Sequence, residues 1–158
     1  MTIMEATRFD DIAALEALVS EDYGPWSAPV TVPQEMIAAF AEITGDRQWI
    51  HVDVARASVE SPFGTTIAHG FLLLALSPIL RSGGGLSVAG HRDALNYGLD
   101  RVRFIAPVTA GSAIHGRTRI TSVACEKGGT MVTTGVAIHV VGAERPSVGF
   151  DWKVLYRG

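Results

Sequence analysis

The sequence predicts an α+β fold: a curved antiparallel sheet wrapped around a long central apolar helix. Three observations point to it. Residues 70–80 are apolar on nearly every side, the pattern of a helix that lies inside a protein rather than on its surface. From Leu95 onward, four stretches rich in Val, Ile and Thr alternate with glycine- and proline-containing turns, the pattern of strands. Before residue 60, apolar residues recur at helical spacing. A sheet built from four long strands has one face to cover, and residues 70–80 are the segment that covers it.

The elements follow in order. Asp10 or Asp11 caps a first helix whose apolar stripe is Ile12, Leu15, Leu18 and Val19. Gly24 and Pro25 end it, residues 24–29 are loop with Trp26 packed down, and Val30 to Val32 form a short strand. Pro33 suits the first position of a second helix and Gln34 and Glu35 its first turn. Met36, Ile37, Phe40 and Ile43 are its buried stripe and Gly45 its stop. Residues 46–52 are then loop, and Asp53 caps a short helix through Val59. Pro78 kinks the helix of residues 70–80 or marks its last turn, and Gly83-Gly84-Gly85 ends it. The strands are Asn96 to Ile105, Ser112 to Ala124, Thr130 to Val141 and Ser147 to Tyr156, three turns making of them an antiparallel meander.

The 158 residues fit one domain, 1–158, with residues 1–29 as an N-terminal helix-and-loop extension. With 47% apolar and 18% charged residues the chain is globular. A net charge of −3 argues against a nucleic-acid partner, although Arg101, Arg103, Arg117 and Arg119 offer a local basic patch for one phosphorylated ligand. Met1 to Asp11 lacks the basic segment and apolar run of a signal peptide. Residues 70–80 are too few for a bilayer, which needs about 20. With a single cysteine, Cys125, no disulfide forms within the chain, and a cytoplasmic protein without a membrane partner is expected.

The chemistry-bearing residues lie between the second helix and the central one. Asp46 and His51 stand five positions apart after Gly45. Taken alone, Asp46 is a turn residue whose carboxylate bonds nearby backbone, and His51 a hydrogen-bonded core histidine. A loop carrying both is also where catalytic groups sit. A carboxylate and an imidazole together can hold one water, one group taking its proton while the other orients it or returns a proton elsewhere. Gly70 opens the apolar helix, where the first backbone N–H groups have no partner within the helix. It either permits tight packing or lets a substrate oxygen approach that N–H. His69 should point elsewhere and support the loop, and His115 and His139 fall in strands, where cross-strand or surface roles are the default. No His-x3-His, Cys-x2-Cys or Glu-x2-His spacing occurs, which disfavours a metal site, and no Gly-x-Ser-x-Gly occurs.

Thr44-Gly45-Asp46-Arg47-Gln48-Trp49-Ile50-His51-Val52-Asp53 resembles the hydratase-2 motif of MaoC-like dehydratases, the (R)-specific enoyl-CoA hydratases. Ala68-His69-Gly70-Phe71-Leu72 resembles the family's second landmark, and Asn96 to Phe104 followed by Ala106-Pro107-Val108 its first long strand after the helix. Gln48-Trp49 replaces the usual Asn-Pro, the form of the nodulation protein N-like branch. The resemblance, over residues 30–158, implies a hot-dog fold and a homodimer. It implies that Asp46 and His51 activate water for addition to a trans-2-enoyl thioester, giving the (R)-3-hydroxyacyl thioester, with the Gly70 N–H on the thioester oxygen. No metal or redox cofactor is implied, and coenzyme A enters only as carrier of the substrate. Two other readings fit such a fold: an acyl-CoA thioesterase, and a protein that binds an acyl thioester without turning it over.

Overall fold

A computed structural model describes residues 6–81 and 86–158. In chain order the elements are β1 (Thr7–Arg8), α1 (Ile12–Glu16), β2 (Val30–Thr31), α2 (Gln34–Thr44), α3 (Trp49–Val52), α4 (Val54–Glu60), α5 (Gly70–Ala75), β3 (Val88–Ala89), β4 (Asp93–Phe104), β5 (Ala113–Glu126), β6 (Gly129–Val140) and β7 (Val148–Arg157). The main sheet has five strands in the order β2-β5-β6-β7-β4, and β1 pairs with β3 in a separate two-stranded piece. The core lies between the sheet and α2 and α5. Ile37, Leu72, Leu73 and Leu80 meet Ile114, Val136, Ile138, Val148 and Phe150 there.

The capping residues act as the sequence predicts. Asp11 accepts from the Ala14 N–H and Asp53 from the Arg56 N–H, and Gly45 closes α2 in the left-handed conformation. Other expectations need correction. The segment 46–52 is not all loop, since Trp49–Val52 winds one helical turn, too short to leave a periodic signal. In α2 the buried positions are Ile37 and Ala41, and Ile43 is 83% exposed because the last turn, Glu42 to Thr44, outruns the surface it packs on. The central helix is shorter than residues 70–80. Pro78 has no N–H to give the Leu74 carbonyl, which accepts from Ser77 at 3.1 Å instead, and the chain continues as turns to Leu80. Nor is this helix apolar-buried all round: Phe71 is 70% exposed. The turn at Gly83-Gly84-Gly85 lies outside the described residues.

The four long strands are not a simple meander either. β5, β6 and β7 follow one another as hairpins, but β4 pairs with β7 at the far edge. The chain from β4 to β5 therefore crosses the end of the sheet. It does so because it is held by the segment before α5: the Ala68 N–H donates to the Val108 carbonyl at 2.8 Å and the Ala110 N–H to Thr66 at 3.0 Å. Val108, fully buried, joins the core at that point. This order also divides the predicted basic patch. Arg101 and Arg103 lie on β4 and Arg117 and Arg119 on β5, three strand spacings or about 14 Å apart. Arg101 is paired with Asp151, and Arg119 with Glu21.

The segment before β2 runs along β5. Ser20, Gly24 and Ser27 donate to the carbonyls of Ile120, Thr118 and Gly116. Ile114 faces the core, so His115 and Arg117 project from the other face of the sheet. There Trp26 stacks on His115 (centroids 3.8 Å apart, planes at 7°), and Arg117 lies over both Trp26 and Tyr23. His139, directly across the ladder, meets Trp26 edge-on. Burial, then the neighbouring His139 and Arg117, hold His115 below its ordinary pKa of 6.5. Above that pH His115 is neutral whether the chain is folded or not. As pH falls through it the unfolded chain takes up the proton first, so stability is lost on the acid side. The urea midpoint is expected to fall between pH 7 and about 5.5, and His115→Gln to remove part of that fall. An unchanged pH profile in the variant would sink the assignment.

Candidate active site

Two loops meet over the cavity end of α5. The first begins where α2 stops: Thr44 Oγ1 bonds the Phe40 carbonyl at 2.8 Å, Gly45 reverses the chain, and Asp46 follows, exposed. One helical turn later His51 is buried, its Nδ1 2.7 Å from the Ile67 carbonyl. The second loop, residues 61–69, is stitched to the first by the Ile67 N–H on the Ile50 carbonyl at 3.0 Å. The Gln34 side chain clamps both. Its Nε2 donates to the His51 carbonyl at 2.8 Å, and its Oε1 accepts from Thr66, which is fully buried.

The structure thus brings Asp46 and His51 together and places Gly70 beside them. One acceptor atom from each of Asp46, His51 and His69 lies within 4.8 Å of the others. Among the described residues the Asp46 carboxylate makes only a long 3.5 Å contact, accepting from the Gln48 N–H, so it is weakly held by the turn. His51, Gly70, Phe71, Leu73, Phe104, Pro107, Val108 and Ser147 are among the residues lining a cavity of about 380 Å³, mostly apolar and large enough for an acyl chain. Gly70 is the first residue of α5, so its N–H has no acceptor within the helix. A Cβ at Gly70 would come within 2.6 Å of the Phe104 ring, so the residue also serves close packing.

His69 differs from its expected place. It does support the loop, its Nε2 bonding the Asp46 carbonyl at 2.9 Å, but it does not point elsewhere: its ring stacks on His51, centroids 3.8 Å apart and planes at 26°. Although the sequence holds no metal-binding spacing, the fold assembles a two-histidine, one-carboxylate set. Ligands around a tetrahedral zinc at 2.0–2.1 Å stand about 3.3 Å apart. Acceptors sharing one water stand about 4.6 Å apart at hydrogen-bond lengths. Separations within 4.8 Å leave room for one shared water. Of the aromatic side chains near the site, Phe71 lines the cavity, Phe40 packs against His69, Trp49 lies under Arg56, and Phe63 stays partly exposed. Sequence reasoning missed Gln34 and Thr66, because no local pattern marks a side chain that binds loops 17 and 32 residues further along the chain.

A sheet curled round a short apolar helix, with an Asp/His pair at the helix's amino end, defines a hot-dog domain of the hydratase type. The MaoC-like domain model matches residues 17–141, and the chain belongs to that dehydratase family, with a hydro-lyase's class of activity. The chain is 44% identical over 149 residues to 3-hydroxyacyl-thioester dehydratase Z of Mycobacterium tuberculosis, covering 94% of this chain and 97% of that one. It is 38% identical over 145 residues to nodulation protein N of Rhizobium meliloti, covering 91% and 89%. The solved (R)-hydratase from A. caviae involved in PHA biosynthesis shares the fold at a TM-score of 0.67 and 24% identity, over 86% of this chain and 97% of that one.

Replacing Gly70 by Ala is expected to push Phe104 into the cavity mouth and displace the helix's first N–H. A shift of this kind costs on the order of 100-fold in turnover. Steady-state kinetics of the purified variant check this, and a variant at wild-type rate would remove Gly70 from the site.

Proposed function

We propose that this protein catalyses the reversible, (R)-specific hydration of trans-2-enoyl-CoA thioesters to (R)-3-hydroxyacyl-CoA. The observation that carries the reading is the convergence of Asp46 and His51 beside the cavity that Gly70 opens. Water adds at C3 only when the thioester carbonyl accepts charge. The Gly70 N–H, aimed outward from α5, is the donor for that oxygen as it becomes enolate-like. The Asp46/His51 pair takes one proton from the water and returns one to C2. The oxygen–C3 bond forms as the C2=C3 double bond opens, and the same steps in reverse expel water. Nothing is oxidised or reduced, so the reaction needs no redox cofactor, and coenzyme A serves as the carrier of the acyl chain. The name of the mycobacterial dehydratase supports the thioester class, and the motif Gly45 to His51 supports the (R) outcome.

We further read the working form as a homodimer. β4 pairs with β7 on one side only among the described residues, and it exposes Leu95, Tyr97 and Leu99 beside the exposed face of α5. A twelve-residue edge strand with these exposed apolar side chains is suited to pairing with its own copy about a twofold axis. The exposed Cys125 suits a reducing, cytoplasmic setting, and among the described residues no helix is long and apolar enough to cross a membrane.

Asp46→Asn and His51→Ala are each expected to lose most crotonyl-CoA hydration, on the order of 100-fold or more, while remaining folded by circular dichroism. Loss of the enoyl absorbance with no free thiol released separates hydration from thioester cleavage. Near wild-type rates in both variants would sink the assignment.

A further inference from the structure

The Gln34 side chain does more than tie two loops: it holds both ends of the contact that fixes the His51 ring. Its Nε2 donates to the His51 carbonyl at 2.8 Å. That carbonyl can only accept, so the amide nitrogen must face it, and the amide oxygen is left to accept from the hydroxyl of Thr66. Thr66 is fully buried, and the next residue, Ile67, is the one whose carbonyl meets the His51 ring. This carbonyl too can only accept, so at 2.7 Å the ring hydrogen sits on Nδ1. In the neutral ring the lone pair is then on Nε2. His51 lines the cavity, and with Nδ1 taken by Ile67 the nitrogen it can offer a bound molecule is Nε2. The contacts close a circuit. It runs from the Gln34 amide to the His51 backbone, across the His51 ring to Ile67, back one residue to Thr66, and through that hydroxyl to Gln34.

We propose that Gln34 is a positioning residue for the hydration: it holds the His51 ring in the tautomer whose Nε2 is free to handle the proton of the attacking water. This rests on the hydration reading. The bond from the Ile67 N–H to the Ile50 carbonyl joins the same two loops without Gln34, so loss of the amide is expected to shift the ring and not to undo the fold. Without the amide, the His51 backbone and the Ile67 carbonyl are no longer held to one height. The Nδ1–H contact then lengthens, and nothing keeps the hydrogen on Nδ1.

Substitutions at both ends of the circuit test this role. Gln34→Met removes both bonds at similar side-chain length. Thr66→Val removes the hydroxyl alone, and Thr66→Ser keeps it. Gln34→Met is expected to lose about 10- to 100-fold in kcat for crotonyl-CoA with little change in KM. Thr66→Ser should stay near wild type where Thr66→Val falls, and the double variant Gln34→Met/Thr66→Val should be no slower than Gln34→Met, because both changes open one circuit. Gln34→Glu supplies a readout that loop bracing alone would not move. Its ionised carboxylate cannot donate to the His51 carbonyl, whereas the protonated acid donates there and still accepts from Thr66. In a half-buried place facing a carbonyl, such an acid titrates above the ordinary value of about 4.3. Its kcat relative to wild type at the same pH should therefore rise as pH falls from about 8 to about 5.5. Asp46, His51 and His69 titrate in both proteins and cancel in the ratio. Nitrogen-15 spectra of imidazole-labelled protein, with His51→Ala to assign the signal, read the tautomer itself: hydrogen on Nδ1 in the wild type, a mixture in Gln34→Met. Full kcat or an unchanged tautomer in Gln34→Met, or a Gln34→Glu ratio flat with pH, overturns the role of Gln34 while wild-type turnover keeps the hydration reading. A wild type inactive on every enoyl-CoA overturns both.

Discussion

The side-chain amide of Gln34 is the contact on which the site's geometry depends. Asp46 and His51 follow α2 and Gly70 opens α5, and the two loops are joined along the chain by α3 and α4. Gln34 spans them, donating to the backbone of His51 and accepting from Thr66, where the hydroxyl has no access to solvent. Both ends of the amide are satisfied in a half-buried setting, where a lost partner costs more than the bond contributes. The residue sits in the first turn of α2, so the helix that carries Ile37 and Ala41 into the core also sets the height of the clamp. Core packing, loop register and the placing of His51 over Gly70 are thereby one problem with one solution.

Most local structure was legible because each signal is local. Asp11 and Asp53 cap, Gly45 stops, and the Val/Ile/Thr-rich runs become strands to within a few residues. What escaped depends on distant partners. The position of β4 beyond β7 follows from where residues 105–112 are held, and that depends on the pairing of Val108 and Ala110 with the segment before α5. The early end of α5 needed one missing N–H at Pro78 to outweigh an otherwise helical run. The arginine patch failed for the same topological reason, because nearness in sequence pattern says nothing of strand order.

At the site, Asp46, His51 and Gly70 were readable as types in a pattern, and each alone had an ordinary structural explanation. For Gly70 the structure bears out the close packing and leaves room for the proposed role of its N–H beside it. The space that a Cβ would take is filled by the Phe104 ring, and that ring is also a wall of the cavity into which the N–H opens. The absence of a side chain brings the apolar wall and the polar donor to the same point. His69 was harder to read, since a residue beside a helix start gives no hint in sequence that its ring lies face to face with another histidine 18 positions earlier.

This division of labour constrains how such a site varies. In the proposed reaction the donor for the thioester oxygen is the backbone of Gly70, so no side-chain substitution alters its chemistry, only its position. The groups proposed to handle protons, Asp46 and His51, come from a loop whose register is fixed by Gln34, Ile67 and the His69–Asp46 contact. Neither set defines the length or shape of the acyl chain. That falls to Phe71, Leu73, Phe104 and Pro107, which line the cavity without touching the clamp. Apolar side chains of this kind exchange volume for volume at modest cost in stability. Related chains can therefore differ in substrate while keeping the same water-handling geometry, and Gln48-Trp49, lying between Asp46 and His51, is the one departure that touches the loop itself.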